Sequence, residues 1–387
     1  MPIKNRFAEL HAEITEWRRD IHAHPEVLYE THRTAALVAD KLREFGCDEV
    51  VSGVGRTGVV GIIKGKTNAS GKVIGLRADM DALPMQEQTG LEYASTHEGA
   101  MHACGHDGHT AMLLGAAKYL SETRNFDGAV ALIFQPAEEG GNGALAMVED
   151  GMMDRWNIQE VYGMHNQPGM AVGEFGVRKG PLLAAVDFFT IHIEGRGGHA
   201  AHPQDTVDPT LIGTQVHMAL QSIVSRNVDP VERAVVSVTS FQTGSDVYNV
   251  IPHTATLKGT VRTFVPQTQD MVQARIEEIV AQVAESFGGN ATLDYQRITP
   301  ATINAEEQAA FAEDVVTAIS GSCNLADISM GGEDFSYMLQ ARPGAFIMIG
   351  NGDSASLHHP EYNFDDDAIP YGSSFLSEVI ERRMPAA

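Results

Sequence analysis

The feature that most constrains the fold of this chain is a change of rhythm that occurs twice. Residues 5–23 carry Phe7, Leu10, Ile14, Trp17 and Ile21 at helical spacing, and His24-Pro25-Glu26 ends the run because proline disfavours helix in the residue before it. The spacing predicts a second helix over 34–45, closed by Gly46, and strands over 59–63 and 72–81. A helix over 108–121 and strands over 129–134 and 160–165 follow, the alternation of an α/β domain with a mainly parallel sheet. From Ala184 the order becomes strand 186–193, helix 209–224, strand 234–241, strand 254–264, helix 269–287 and strand 291–297. This βαββαβ order is that of a ferredoxin-like unit. In its first strand Asp187, Phe189, Ile191 and Ile193 alternate with Val186, Phe188, Thr190 and His192, which predicts one partly covered face. After Thr302 the first rhythm returns, with helices over 306–320, 335–339 and 371–383 and a strand over 345–349. The chain therefore reads as one α/β domain, 1–184 and 296–387, interrupted by a satellite domain over 185–295.

At 387 residues the chain exceeds one ordinary core, in keeping with two domains. Lys+Arg 27 against Asp+Glu 51 gives a net charge of −24, which excludes nucleic acid and anionic membrane as main partners. A small anionic substrate would need a local cation to receive it. The opening Met1-Pro2-Ile3-Lys4-Asn5-Arg6-Phe7 has no apolar signal segment, and no apolar run approaches the roughly 20 residues of a membrane span. Cys47, Cys104 and Cys323 form no paired framework, so the expectation is a cytoplasmic protein.

Cys104-Gly105-His106 sits where a helix begins, and Glu138-Glu139 follows the apolar run Ala131-Leu-Ile-Phe134. Thiolate, imidazole and carboxylate bind divalent transition metals well. Positions 104 and 106 would diverge by about 200° on a regular helix, so both can face one ion only from an irregular segment, which Gly105 allows. The alternative is a buried cysteine beside a helix-capping histidine. Two carboxylates at a buried strand's mouth are costly without a cation or partner, and adjacent side chains leaving an extended segment point differently. One can then ligate while the other faces a substrate. His165 ends a strand, where a hydrogen-bonded core histidine is the competing reading. His102 and His109 are expected to support the site or lie on the helix surface. Asp79 and Asp81, two apart on a predicted strand, orient a ligand histidine, bind metal or cap the next turn. All these groups fall at or past carboxyl ends of strands, where open α/β sheets place their sites.

With these motifs the chain resembles the metal-dependent aminoacylase and hippurate hydrolase group, which includes bacterial N-acyl-amino-acid amidohydrolases and plant auxin-conjugate hydrolases. The resemblance covers nearly the whole chain. It rests on His24-Pro25-Glu26, Arg77-Ala-Asp79-Met-Asp81-Ala-Leu-Pro84, Met101-His-Ala-Cys104-Gly-His106-Asp107-Gly-His109 and Phe134-Gln-Pro-Ala-Glu138-Glu139-Gly140. Gly195-Arg-Gly-Gly-His199-Ala-Ala, Met330-Gly-Gly-Glu333-Asp334-Phe335 and Leu357-His358-His359-Pro360 complete the set.

The resemblance implies a zinc-aminopeptidase-like catalytic domain and two divalent ions per subunit, drawn from zinc, manganese, cobalt or nickel. Cys104, His106, Glu139, His165 and His358 are the implied ligands, with His359 the bland neighbour of His358. Glu138 is the implied general base and His199 the implied oxyanion stabiliser, reaching the site of a neighbouring subunit. Asn249 and Arg262 match positions near the substrate carbonyl and carboxylate. Asp79 stands where the wider aminoacylase and carboxypeptidase clan has a ligand histidine, and Cys104 where it has a bridging aspartate; both mark the hippurate hydrolase branch. The implied reaction is hydrolysis of a small N-acyl-L-amino acid to a carboxylate and an amino acid. A dipeptidase, an N-acyl-diaminopimelate deacylase and a non-catalytic metal-binding scaffold are the competing readings. A homodimer through the satellite domain is expected, with a tetramer as the larger alternative.

Overall fold

The computed structural model describes residues 4–386, so the first three residues of the opening segment lie outside it. The chain divides into two compact units: Met1–Leu182 with Ile303–Ile328 and Asp334–Ala387, and Leu183–Thr302 with Ser329–Glu333. Position 296, where the sequence rhythm placed the return, lies inside the strand Asn290–Thr299.

The first unit is built on an eight-stranded sheet. Its order is Glu49–Val54, Gly58–Lys64, Ala129–Gln135, Val73–Asp79, Glu160–Gln167, Gly344–Gly350, Phe175–Val177 and Asn324–Leu325. The run from Ala129–Gln135 through Gly344–Gly350 is mutually parallel, while Glu49–Val54 and Gly58–Lys64 join as an antiparallel hairpin. The parallel strands are buried along nearly their whole length, which is why they read as continuous apolar runs without alternation. The helices Asn5–Ala23, His106–Thr123 and Ile369–Arg383 pack on one another beside the sheet. Sequence periodicity located the long helices and most of the strands but not the strand Glu49–Val54 or several shorter elements. The helices Gly143–Glu149 and Met152–Arg155 and the strands Phe175–Val177 and Asn324–Leu325 are too brief for a repeat to show.

A buried ionic knot closes the far end of the sheet. Glu160 accepts hydrogen bonds from Lys72 Nζ at 2.7 Å, Arg383 Nε at 2.9 Å and the Tyr162 hydroxyl at 2.9 Å. Burial alone would raise the Glu160 carboxyl, but the bonds from Arg383, Lys72 and Tyr162 more than offset it and hold it below its ordinary range. A depressed folded-state pKa contributes stability that is present above the unfolded value and lost as pH falls through the folded one. Glu160→Gln is therefore expected to cost about 2 kcal/mol at pH 7 and progressively less on acidification. Urea melts of both proteins at pH 7 and pH 4 check this; an equal difference at the two values refutes it.

The second unit is a four-stranded antiparallel sheet ordered Ala234–Thr243, Thr254–Thr263, Ala185–Glu194 and Asn290–Thr299. The helices Pro209–Ser222 and Pro266–Ser286 cross between its strands in βαββαβ order. Along Ala185–Glu194 burial alternates: Phe189, Ile191 and Ile193 are in the core with Ile212, Val216, Leu257 and Val272, while Phe188 and His192 are exposed. The expected start of the second helix at 269 moves to Pro266, because proline lacks an N–H that the first turn leaves unused anyway. Asp208 caps the first helix, accepting from Thr210 N at 2.8 Å. No helix among the described residues is long and apolar enough to cross a membrane.

Candidate metal centre

The predicted donors from the first unit converge over the carboxyl edge of its parallel strands. Cys104 and His106 come from the turn into the helix His106–Thr123, and Glu138 and Glu139 from the loop after Gln135. His165 comes from the strand Glu160–Gln167, and His358 from the loop after Gly350. One ligand atom of each lies within 4.8 Å of its neighbours in three overlapping groups: Cys104, His106 and His165; Cys104, Glu139 and His358; and His106, Glu138 and Glu139.

Tautomers and burial suit these groups to a cation. His165 Nδ1 donates to the Asn166 carbonyl at 2.7 Å, which leaves Nε2 as a lone pair 3.3 Å from Cys104 Sγ. Burial, assisted by the adjacent His109 ring, pushes His165 down to about 3, so the ring is neutral. His106 Nδ1 donates to the Asp81 carbonyl at 2.8 Å, and its Nε2 is buried without a hydrogen-bond partner. Glu139 Oε1 lies 3.1 Å from His358 Nε2, yet it is buried and lacks hydrogen-bond alignment. Burial pushes the Cys104 thiol well up, with His106 offsetting part of the effect, so only a cation would make it a ready thiolate. Orphaned donor atoms of metal-binding type, with both ring tautomers fixed by carbonyls, fit a divalent ion.

The backbone reaches this arrangement at some conformational cost. Gly105 has φ +89°, and a Cβ there would meet Asn166 Nδ2 at 2.2 Å and the Tyr362 hydroxyl at 2.5 Å. Only glycine lets the chain turn so that side chains two apart face one point. Ala137 at φ +54° and His358 at φ +61° are non-glycine residues held in the left-handed region, beside or at the candidate donors.

Asp79 and Asp81 are not two positions of one strand as predicted, because the strand ends at Asp79. Asp79 is fully buried, bonded to Arg77 Nη1 at 2.8 Å and His109 Nδ1 at 2.6 Å. Burial opposes its charge, but Arg77, His106 and His109 keep it a carboxylate. His109 Nε2 in turn accepts from Asn166 N at 3.0 Å, so both its ring nitrogens are occupied and it is a support for the donors. Asp81 does different work: its Oδ1 accepts from Glu138 N at 2.9 Å and its Oδ2 from Glu139 N at 3.1 Å. One carboxylate thus sets the backbone of both acidic residues.

Sequence reasoning missed Asn166 and Tyr362. Asn166 Nδ2 donates to the Cys104 carbonyl at 2.6 Å, and the Tyr362 hydroxyl donates to Asn166 Oδ1 at 2.7 Å. A polar residue next to His165 at the end of an apolar strand was the available signal. His102, expected to support the site, is buried with neither ring nitrogen hydrogen-bonded, and burial pushes it down to about 3.

His199 and Asn249 lie together in the second unit. The short strand Gly198–His199 pairs with Val250–Ile251, and Ala200 N donates to the Asn249 carbonyl at 3.0 Å. Both residues line an open cavity of about 610 Å³. Arg262, on the strand Thr254–Thr263, donates to the Met330 carbonyl at 3.2 Å and the Val261 carbonyl at 3.0 Å, and also bonds Thr260 Oγ1.

Fold and donors define the class: an α/β protein whose parallel sheet carries a candidate metal centre on its carboxyl edge. The chain belongs to peptidase family M20/M25/M40, whose family model matches residues 75–382. It is 41% identical over 374 residues to the hippurate hydrolase of Campylobacter jejuni, covering 96% of each chain. It is 42% identical over 366 residues to an N-acetyl-L-cysteine deacetylase of Bacillus subtilis, covering 94% of this chain and 86% of that one. The crystal structure of the Bacillus subtilis YXEP protein, a dinuclear metal binding peptidase from the M20 family, superposes with a TM-score of 0.86 at 34% identity. That superposition covers 97% of this chain and 99% of the other. The family expected from the motifs, and the aminopeptidase-like fold it implied, are thereby borne out.

Proposed function

We propose that this protein is a divalent-metal-dependent amidohydrolase cleaving N-acyl-L-amino acids of the hippurate and N-acetyl type into a carboxylate and an amino acid. The observation that carries the reading is the clamp of Asp81 on the amides of Glu138 and Glu139 beside Cys104, His106, His165 and His358. It fixes the backbone of two adjacent acidic residues and leaves their carboxylates to serve different ends. The activities named for the Campylobacter and Bacillus relatives support it.

In this reading Cys104, His106, Glu139, His165 and His358 hold two ions. The sulfur and imidazoles favour zinc-like ions, the carboxylate suits manganese, and cobalt and nickel fall within the same donor range. A divalent ion held by these residues would supply Lewis acidity, polarising the amide carbonyl and making water acidic enough to give up a proton near neutral pH. Glu138 accepts that proton at a carboxylate oxygen and later delivers it to the leaving nitrogen. His199, from the second unit of a neighbouring copy, donates to the developing oxyanion, and Asn249 and Arg262 hold the substrate's polar ends.

The test is turnover by metal-loaded protein of N-acetyl, N-benzoyl and indolyl-acyl amino acids against dipeptides and N-acyl-diaminopimelate. Preference for the first group is expected; turnover confined to dipeptides or the diaminopimelate would transfer the site to a competing reading. Tight metal binding with no turnover on any of them would restore the scaffold.

The same reading includes 1–184 and 296–387 as the catalytic domain, a homodimer through the satellite domain, and a cytoplasmic location. Supporting the dimer, Ala234–Thr243 is an edge strand, and Leu211, Met218 and Phe241 of the same unit are 47%, 64% and 39% exposed. Sedimentation should give a dimer; a fully active monomer refutes it. Unpaired Cys47, Cys104 and Cys323 support a reducing compartment.

A further inference from the structure

We infer that Arg56, stacked on Tyr29, forms a binding site on the first unit for a second carboxylate of the substrate. The inference rests on the amidohydrolase reading and adds to its substrates N-acyl amino acids that carry a second acidic group.

Arg56 is unusual in its charge environment. In a chain of net charge −24, the other arginines of the first unit each donate to a carboxylate or a carbonyl, as Arg33 does to Asp20 and Arg178 to Ala326, or pair with an acid, as Arg155 does with Glu49 at 3.6 Å. Among the described residues the exposed Arg56 guanidinium makes no ion pair or hydrogen bond, and its carbon sits 4.1 Å from the centre of the Tyr29 ring. Asp150, at the end of the helix Gly143–Glu149, meets the backbone of the turn, accepting from Gly55 N at 3.1 Å. Stacking fixes the guanidinium plane while leaving its edge N–H groups to pair with a carboxylate, the geometry at which arginine excels.

Tyr29 ties this cation to the acidic loop. Its hydroxyl donates to the Gly141 carbonyl at 2.7 Å, two residues past Glu139, and its ring lies 3.2 Å from where a Gly141 Cβ would stand. The phenol is also close enough to Asp81 to feel its charge.

The backbone gives an independent indication. Arg56 has φ +82° in the turn between Glu49–Val54 and Gly58–Lys64, a conformation that favours glycine, and Leu28 beside Tyr29 has φ +52°. A long cationic side chain kept at a glycine position, against the backbone's preference, is a strain that functional groups characteristically carry. Were Arg56 only a solvated turn residue, replacing it by glycine would relax the turn and change nothing else.

That contrast defines the experiment. Metal-loaded wild type and Arg56→Gly are compared on N-acetylglutamate against N-acetylglutamine, and on an N-succinyl against an N-butyryl amino acid, with melting temperatures alongside. The first pair places the second carboxylate in the amino-acid side chain, the second pair in the acyl group. Arg56→Gly is expected to lower kcat/KM by about 10-fold or more on the diacid of one pair, through KM, and to leave its neutral partner unchanged. Its melting temperature should stay level or rise. An unchanged acid-to-neutral ratio in both pairs overturns the inference. Failure of wild type to hydrolyse any of these compounds would instead count against the amidohydrolase reading itself.

Discussion

Glu138→Gln is expected to lower kcat on an N-acyl amino acid by roughly 100- to 10,000-fold while the protein keeps its metal. The variant has the same size and loses only the ability to take a proton. Asp81 grips the backbone N–H of Glu138 and not its side chain, so the loop should stay in place when the carboxylate is removed. KM should move little, since a base acting in the transition state contributes little to ground-state binding. Single-substrate kinetics with metal analysis decide it. Undiminished turnover would remove Glu138 from the role of base, and loss of metal along with activity would make it a ligand instead.

Stripping the metal, by chelator or by Glu139→Ala, should have the second large effect, with activity falling to background. Without a cation water is far less acidic, and a carboxylate alone cannot make it a competent nucleophile. Glu139 is the sharper target because its Oε1 sits 3.1 Å from His358 Nε2, and the Glu139 carboxylate raises the His358 pKa. Removing it takes away one donor and the group that holds another. Stability should fall as well: an ion present at 100 times its dissociation constant stabilises a fold by about 2.7 kcal/mol. The wild-type protein should therefore melt lower after chelation, and Glu139→Ala should melt alike with and without metal. A variant that retains full metal stoichiometry would show that Glu139 is not a ligand.

Much of the site could be read from the chain because its parts lie at strand ends, where a change of pattern marks the spot. The apolar run into Gln135 announced Glu138 and Glu139, and Gly105 before the helix announced an irregular approach for Cys104 and His106. The roles of Asp79 and Asp81 could not be read. Two residues apart, they look equivalent in sequence, yet Arg77 and His109 take the first while the amides of Glu138 and Glu139 take the second. Those partners are remote in sequence, and no periodicity predicts which of two carboxylates a distant loop will meet. Asn166 escaped for the same reason, since its bonds to the Cys104 carbonyl and to Tyr362 join segments far apart in the chain.

The sequence by itself determined the family, the α/β framework with its ferredoxin-like insertion, and the residue types able to hold a metal, because these depend on local pattern and ordered motifs. The tertiary structure alone decided which atoms are left unsatisfied. Among the described residues His106 Nε2 has no hydrogen-bond partner, Glu139 Oε1 meets only His358, His109 is occupied on both sides, and Arg56 stands unpaired over Tyr29. Whether a donor is engaged depends on neighbours brought together by packing and on the water that packing excludes, neither of which is written along the chain.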